Sequence, residues 1–310
     1  MTPARSPHHE IFEAFQPFHG EAPAGYDRDF IGSKIRREFW GAAPRDHAVA
    51  VTAAYPPVDE EYFEWIDLLE SVAGARGSYT MVELGAGYGR WAVRAALAVQ
   101  QYSGIPFHLI AVEAEPFHFG WMRVHFEDNG IDPGGHRLVH AAISGHPGSV
   151  PLYIDAPWGR DRPDEWYGQH VVKGGAAFEG VEKALYAGFE VQRLSNGGRS
   201  IKVPGSTLTN LLENVRLVDL IDFDLQGEEL DAVSVAIHVL DAKVRRMHIG
   251  THSWDYMPDV EGGLRELLGG HGWRCLADYP AHRSSSTPWG SVHFEDGVQS
   301  WVNPRLDGLF

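Results

Sequence analysis

The sequence predicts an α/β protein in which a parallel sheet is covered by helices. Three observations carry that expectation. From residue 79 onward, strand-like apolar runs alternate with helical runs at short spacing. A glycine-rich loop lies directly between the first such strand and its helix, and the second strand ends on an acidic residue. Right-handed crossovers in such a sheet bring the C-terminal ends of the strands to one edge, where ligands bind.

Composition narrows the class. The chain has 310 residues, with 26 Lys plus Arg against 42 Asp plus Glu, a formal charge of −16. Phosphate backbones need a basic face, so a general nucleic-acid partner is excluded. Cys275 is the single cysteine, which excludes an intramolecular disulfide and a cysteine-rich zinc site. The opening MTPARSPHHE has no apolar h-region, and no window approaches the roughly 18 apolar residues a membrane helix needs. The expectation is a cytoplasmic enzyme with no membrane partner; a homo-oligomer stays open.

The elements follow in order. Residues 1–56 read as an N-terminal extension, a lid or an interface. Its basic cluster, Arg28, Lys34, Arg36 and Arg37, is either a solvated face or an anion-binding arm. PPVDEEYFEWIDLLESV opens on Pro57 and three acids, which suit a helix start, and continues with helical spacing. YTMVEL (79–84) is a buried strand, WAVRAALAVQQ a helix, FHLIAVE (107–113) a second strand, 116–128 a helix, and HRLVHAAIS (136–144) a third strand. VPLYI (150–154) is a short strand candidate, and 155–206 reads as an irregular insertion covering an active site. TLTNLLE is a short helix, VDLIDFDL (218–225) a strand, 230–240 a helix, VRRMHIG (244–250) a strand, and LRELLGG a helix ended by glycine. WRCLADY is a further strand, and SVHF with QSWV read as a closing antiparallel hairpin. A catalytic domain then spans 57–305, with 306–310 as a tail.

The sharpest local signal is Glu83-Leu84-Gly85-Ala86-Gly87-Tyr88-Gly89. Glycines let the chain turn tightly and let a ligand touch the backbone. A dinucleotide fingerprint, G-x-G-x-x-G, needs glycine at position 90, where this chain has Arg. The pattern E-x-G-x-G-x-G instead is typical of S-adenosyl-L-methionine (SAM) binding. Glu113, at the end of the second strand, suits the two ribose hydroxyls as a bidentate acceptor. Glu83, Gly85, Ala86, Gly87, Tyr88, Gly89 and Glu113 are therefore the candidate cofactor residues, joined by Ala142 of the HAAISG stretch.

The chain resembles the FkbM family of SAM-dependent methyltransferases. VELGAGYGR, IAVEAEP, HAAISG, TLTNLLENVRLVDLIDFDLQGEE, RRMHIGTH and GSVHFEDGVQSWVNPRL carry the likeness in order across residues 79–305. The resemblance implies a Rossmann-like class I methyltransferase fold, a seven-stranded, mostly parallel sheet of order 3-2-1-4-5-7-6 with helices on both faces. It implies O-methylation of a hydroxyl on a sugar, glycan or natural-product small molecule, and it puts Asp224 at the acidic end of strand four. The chain departs from the family pattern at Asp222, Gln226 and Gly250, close to where the methyl group would be transferred.

Methylating an alcohol requires alignment and a place for the proton. Asp222 and Asp224 are expected on one face of their strand, where one carboxyl's pKa would rise and suit a base. The same pair suits a shared divalent cation, which the sequence does not require. Glu228 and Glu229 either extend this acidic strand end or are surface charges after the strand. His252, after strand five, is a candidate base. Trp166, Tyr167 and His170 of WYGQH are candidate substrate contacts, while His238, His248, His271 and His293 read as structural. An N- or C-methyltransferase, or a non-catalytic SAM-binding protein, are the alternatives on the same fold.

Overall fold

The computed structural model describes residues 7–155, 168–173, 177–252 and 259–306. In chain order the central layers are α1 (Glu61–Gly74), β1 (Tyr79–Leu84), α2 (Arg90–Tyr102), β2 (Phe107–Glu113), α3 (Pro116–Asp128) and β3 (Arg137–His140). Then come β4 (Leu220–Phe223), α4 (Glu229–Lys243), β5 (Arg246–Thr251), α5 (Val260–Gly270), β6 (Arg274–Tyr279) and β7 (Gly297–Val302). The strands form one seven-stranded sheet in the order β3-β2-β1-β4-β5-β7-β6. Strands β1 to β5 pair in parallel, and β7 runs antiparallel between β5 and β6. This is the Rossmann-like strand order expected above, 3-2-1-4-5-7-6.

The strand sequences explain the two packed faces. Met81, Leu109 and Leu220 point to one side, where α1 and α2 supply Tyr62, Leu68, Leu69, Val93 and Val99. Val82, Leu84, Ile110, Val112, Ile221 and Phe223 point to the other, against Val233, Ala236 and Leu240 of α4 and Leu264 and Leu268 of α5. Both faces are buried, so these strands read as near-continuous apolar runs.

Phe12, Phe15, Phe30 and Ile31 of the N-terminal segment are buried in the first of these cores. Its basic cluster is committed internally. Arg36 bonds Asp128, Arg37 bonds Asp27, Arg28 donates to the Gly32 carbonyl, and Lys34 lies over the Tyr26 ring. All four remain partly exposed, each with a partner within the fold.

Two expectations need correction. The stretch 155–206, expected to be irregular, contains antiparallel strands at Phe178–Tyr186, Phe189–Leu194 and Arg199–Ser206, in a second sheet with Gly148–Tyr153 and His170–Val171. Ala187 and Gly188 have φ of 48° and 89°, as a two-residue hairpin turn requires. Most of strand Phe178–Tyr186 faces solvent, so it lacks the apolar pattern that marks a strand. The expected SVHF–QSWV hairpin does not form either. Gly290–Phe294 pairs backwards with Arg283–Thr287, and β7 leaves it to enter the main sheet. Burial on both faces of the sheet draws β7 inward, since all six of its residues are buried. Among the described residues no helix is long and apolar enough to cross a membrane.

Candidate active site

The glycine loop joins β1 to α2 at the C-terminal edge of the sheet. Gly85 has φ of 77°, and a Cβ there would collide with the carbonyl oxygen of Asp224 after β4. The amides of Gly85 and Ala86 donate to the Val112 carbonyl, at 3.0 and 2.9 Å, which fixes the loop against β2.

Beside this loop lies a cleft enclosing about 640 Å³, counting space open to solvent. Gly85, Gly87, Glu113, Ala142, His170, Asp224 and Gln226 all line it. The Glu113 carboxylate accepts from the Gly87 amide at 2.6 Å and the Glu115 amide at 2.6 Å, one bond to each oxygen. Burial outweighs those two donors and pushes the Glu113 pKa up to about 8. His170 stacks on Tyr153, with centroids 5.0 Å apart. Lys173 ties this roof segment to the Gly227 carbonyl at 2.8 Å and to Glu228 at 2.9 Å.

Four expected cofactor residues lie elsewhere. Glu83 is buried beneath the loop and accepts from the amides of Trp91 and Ala92, both at 2.9 Å. Those amides belong to the first turn of α2, which lacks intrahelical acceptors, so the carboxylate caps the helix from below. Tyr88 packs between Phe39 and His125, with ring centroids 5.2 and 5.1 Å away. A Cβ on Gly89 would press on Met122 and Phe126, so this glycine serves packing against α3. Ala86 is buried in the core below the loop. Trp166 and Tyr167 lie outside the described residues.

A second cleft, about 960 Å³ counted in the same way, shares Asp224 and Gln226 with the first. His252 sits in its wall, with Nδ1 2.7 Å from Glu229 Oε1 and Nε2 facing Asp224 and Asp296 at 3.4 and 3.6 Å. Burial alone would lower the imidazole pKa, but Glu229 and Asp296 outweigh it and hold the value well above that of an ordinary histidine. The Gln226 amide bridges Asp224 Oδ1 at 3.0 Å and His252 Nε2 at 2.7 Å. Gln226 holds this position with φ of 50°, an uncommon conformation for a non-glycine residue.

Glu228 and Glu229 are buried and not on the surface. Glu229 was hidden from a linear reading because its partner, His252, comes from the next strand. Asp222 and Asp224 also part company. Asp222 points under α1 toward Glu64 and His248, whereas Asp224 follows the end of β4 and opens into both clefts. The strand ends at Phe223, so its two-residue period does not extend to Asp224. Glu60, Glu61, Glu64, Arg90 and Asp296 also line the second cleft, unforeseen from sequence. Arg90 is held by Glu61, at 2.7 and 2.5 Å.

No family model matches the chain. A curated protein of Jannaschia sp. (strain CCS1), described as "Putative methyltransferase", is 30% identical over 218 residues, 70% of each chain. The chain belongs to that methyltransferase family. Among solved structures, precorrin-6y C5,15-methyltransferase from Geobacter metallireducens GS-15 is 11% identical, covering 81% of this chain and 92% of that one, with a TM-score of 0.41. The FkbM methyltransferase from Methylobacillus flagellatus KT is 12% identical over 73% of this chain and 44% of its own, TM-score 0.41. An O-methyltransferase from Bacillus cereus is 13% identical over 80% and 84%, TM-score 0.39.

Proposed function

We propose that the chain is a SAM-dependent O-methyltransferase of the FkbM type, acting on a hydroxyl of a sugar, glycan or natural-product small molecule. The observation that carries this reading is the meeting of the two clefts at Asp224 and Gln226. One side offers what an adenosyl group needs: bare glycine backbone, a carboxylate for a diol, and apolar walls at Ala141, Ala142, Ile143 and Leu152. Bound there, SAM supplies an electrophilic methyl group on a sulfonium. The FkbM assignment rests on the order of the motifs along the chain.

Glu113 would hold the ribose, Gly85 and Gly87 would admit the cofactor's backbone contacts, and Ala142 would floor the site. His170 would contact the cofactor from the strand His170–Val171, which lines the same cleft. Across the boundary, His252 accepts the acceptor's proton at Nε2, Glu229 orients the ring through Nδ1, and Asp224 balances the charge that forms. Because Glu229 and Asp296 raise the His252 pKa, the base form grows as pH rises. The kcat/KM is therefore expected to climb through neutral pH, with an apparent pKa above the ordinary histidine value. His252→Gln is expected to lower kcat by about 10²–10⁴-fold while SAM affinity changes little. A flat pH profile, or an active variant, removes His252 as the base.

The carboxylates around the second cleft favour one further reading, N-methylation of a cationic amine. Product mass spectrometry with labelled SAM, on a panel of hydroxyl and amine acceptors, separates the two. Cofactor choice has its own test. SAM at a hundredfold excess over Kd should add about 2.7 kcal/mol of stability in a thermal-shift assay, and NADH should add none. Stabilisation by NADH alone would defeat the proposal.

A further inference from the structure

The sheet carries a buried polar row on the face beneath α1. Glu83 of β1, Asp222 of β4, His248 of β5 and Ser300 of β7 are register partners across four adjacent strands. Helix α1 lays Glu64 and Asp67 over them. His248 Nδ1 is 2.8 Å from Asp67 Oδ2, and Asp67 is itself held by Arg246 at 2.7 Å and by the Ser300 hydroxyl. A histidine anchored in this way through one ring nitrogen to a fixed carboxylate presents the other nitrogen as a ligand.

That other nitrogen has company. Ligand atoms of Glu64, Asp222 and His248 all lie within 4.8 Å of one another. Asp222 is 2% exposed, and its Oδ1 has no hydrogen-bond partner among the described residues. An unpartnered buried carboxylate oxygen is costly, and the charges around it repel. Glu64 and His248 both reach the second cleft, which gives an ion a path in and leaves one side open.

We propose that Glu64, Asp222 and His248 bind one divalent first-row transition-metal ion, its open positions facing the second cleft. One imidazole with two carboxylates suits Mn²⁺, Fe²⁺ or Zn²⁺ better than Ca²⁺ or Mg²⁺. The Asp222–Asp224 pair expected from sequence is replaced by a set drawn from α1, β4 and β5. The ion site stands on its own geometry. Only the identity of its outer ligand, an oxygen atom of the methyl acceptor, rests on the function proposed above.

The test uses the full chain, stripped with EDTA and reloaded with Mn²⁺ or Zn²⁺ alone. Metal analysis after desalting should find one equivalent per chain, and the Mn²⁺ resonance signal should broaden on binding. Glu64→Gln and Asp222→Asn should each weaken binding at least tenfold. His238→Ala should not, since it lies in a separate surface group with Asp241 and His271 that also has ligand spacing. The SAM thermal shift of each variant reports that it folds. If either variant does not fold, His248→Gln takes its place. No retained metal in the wild type, or loss in His238→Ala with retention in Glu64→Gln, overturns the proposal. Metal retention without any SAM effect leaves the ion site standing and removes the methyltransferase reading instead.

Discussion

Gly85→Ala is expected to be the most damaging single substitution in the chain, costing at least ~3 kcal/mol and abolishing cofactor binding. Two penalties add. The residue sits at φ of 77°, which an L side chain rarely adopts, and its new Cβ would overlap the Asp224 carbonyl oxygen. The second is the larger, because backbone meets backbone and neither strand can yield. The Gly85 amide is bonded to Val112, and the Asp224 amide to the Leu84 carbonyl at 2.9 Å. Relief would require β1 and β4 to separate. Gly104→Ala is the control. It has a similar φ of 64° with nothing within 4 Å of the added Cβ, so it should lose only about 1 kcal/mol. Urea titration of both variants reads the difference directly. Equal losses would mean that the close approach of the two strand ends is not what glycine is needed for.

That close approach also shows why parts of the molecule were legible from sequence and others were not. Strands 79–84 and 107–113 and helix 116–128 have the boundaries their apolar patterns predict, because the strands are buried along most of their length and the helix turns His118, Met122, His125 and Phe126 to the core. The loop motif grouped Gly85, Gly87 and Glu113, which line one cleft, for a local reason: chain geometry and the carboxylate that receives the Gly87 amide are encoded within about 30 residues. The 155–206 strands were missed because one side faces water, where almost any polar residue is tolerated. Glu83, expected at the cofactor, lies under the first turn of α2, because a motif records that an acid is needed, not whether a ligand or a helix terminus needs it.

The second cleft was less legible because its parts meet only in three dimensions. His252 and Asp224 were visible as polar residues at strand ends. Glu229 and Asp296, which set the charge of His252, come from a helix start and from the turn before β7. A usable signal did exist. Glu64 and Asp67 interrupt the buried face of a helix otherwise made of Tyr62, Phe63, Trp65, Ile66, Leu68 and Leu69. Asp222 and His248 each interrupt an apolar strand. Charged residues inside segments that folding must bury are costly, so they point to partners from elsewhere in the chain.

Glu113→Ala is expected to weaken SAM binding about 10- to 100-fold, the loss of two hydrogen bonds to a charged acceptor. The wild-type pH dependence makes the sharper test. In the free protein burial raises the Glu113 pKa to about 8, so at pH 7 this carboxyl is mostly protonated. Each of its oxygens already accepts one backbone amide, and the lone pairs that remain suit two ribose hydroxyls only when the group is ionised. Binding therefore favours the carboxylate and lowers its pKa, and a ligand that lowers a pKa binds more tightly as pH rises. The Kd should fall by up to about tenfold per pH unit below 8 and level off above it. Calorimetry in buffers of different ionisation enthalpy should show a proton released on binding at pH 7. In Glu113→Ala both the slope and the released proton should vanish. If the variant keeps the wild-type slope, the ribose contact lies elsewhere, and the cleft beside Gly85 and Gly87 holds its ligand in another orientation.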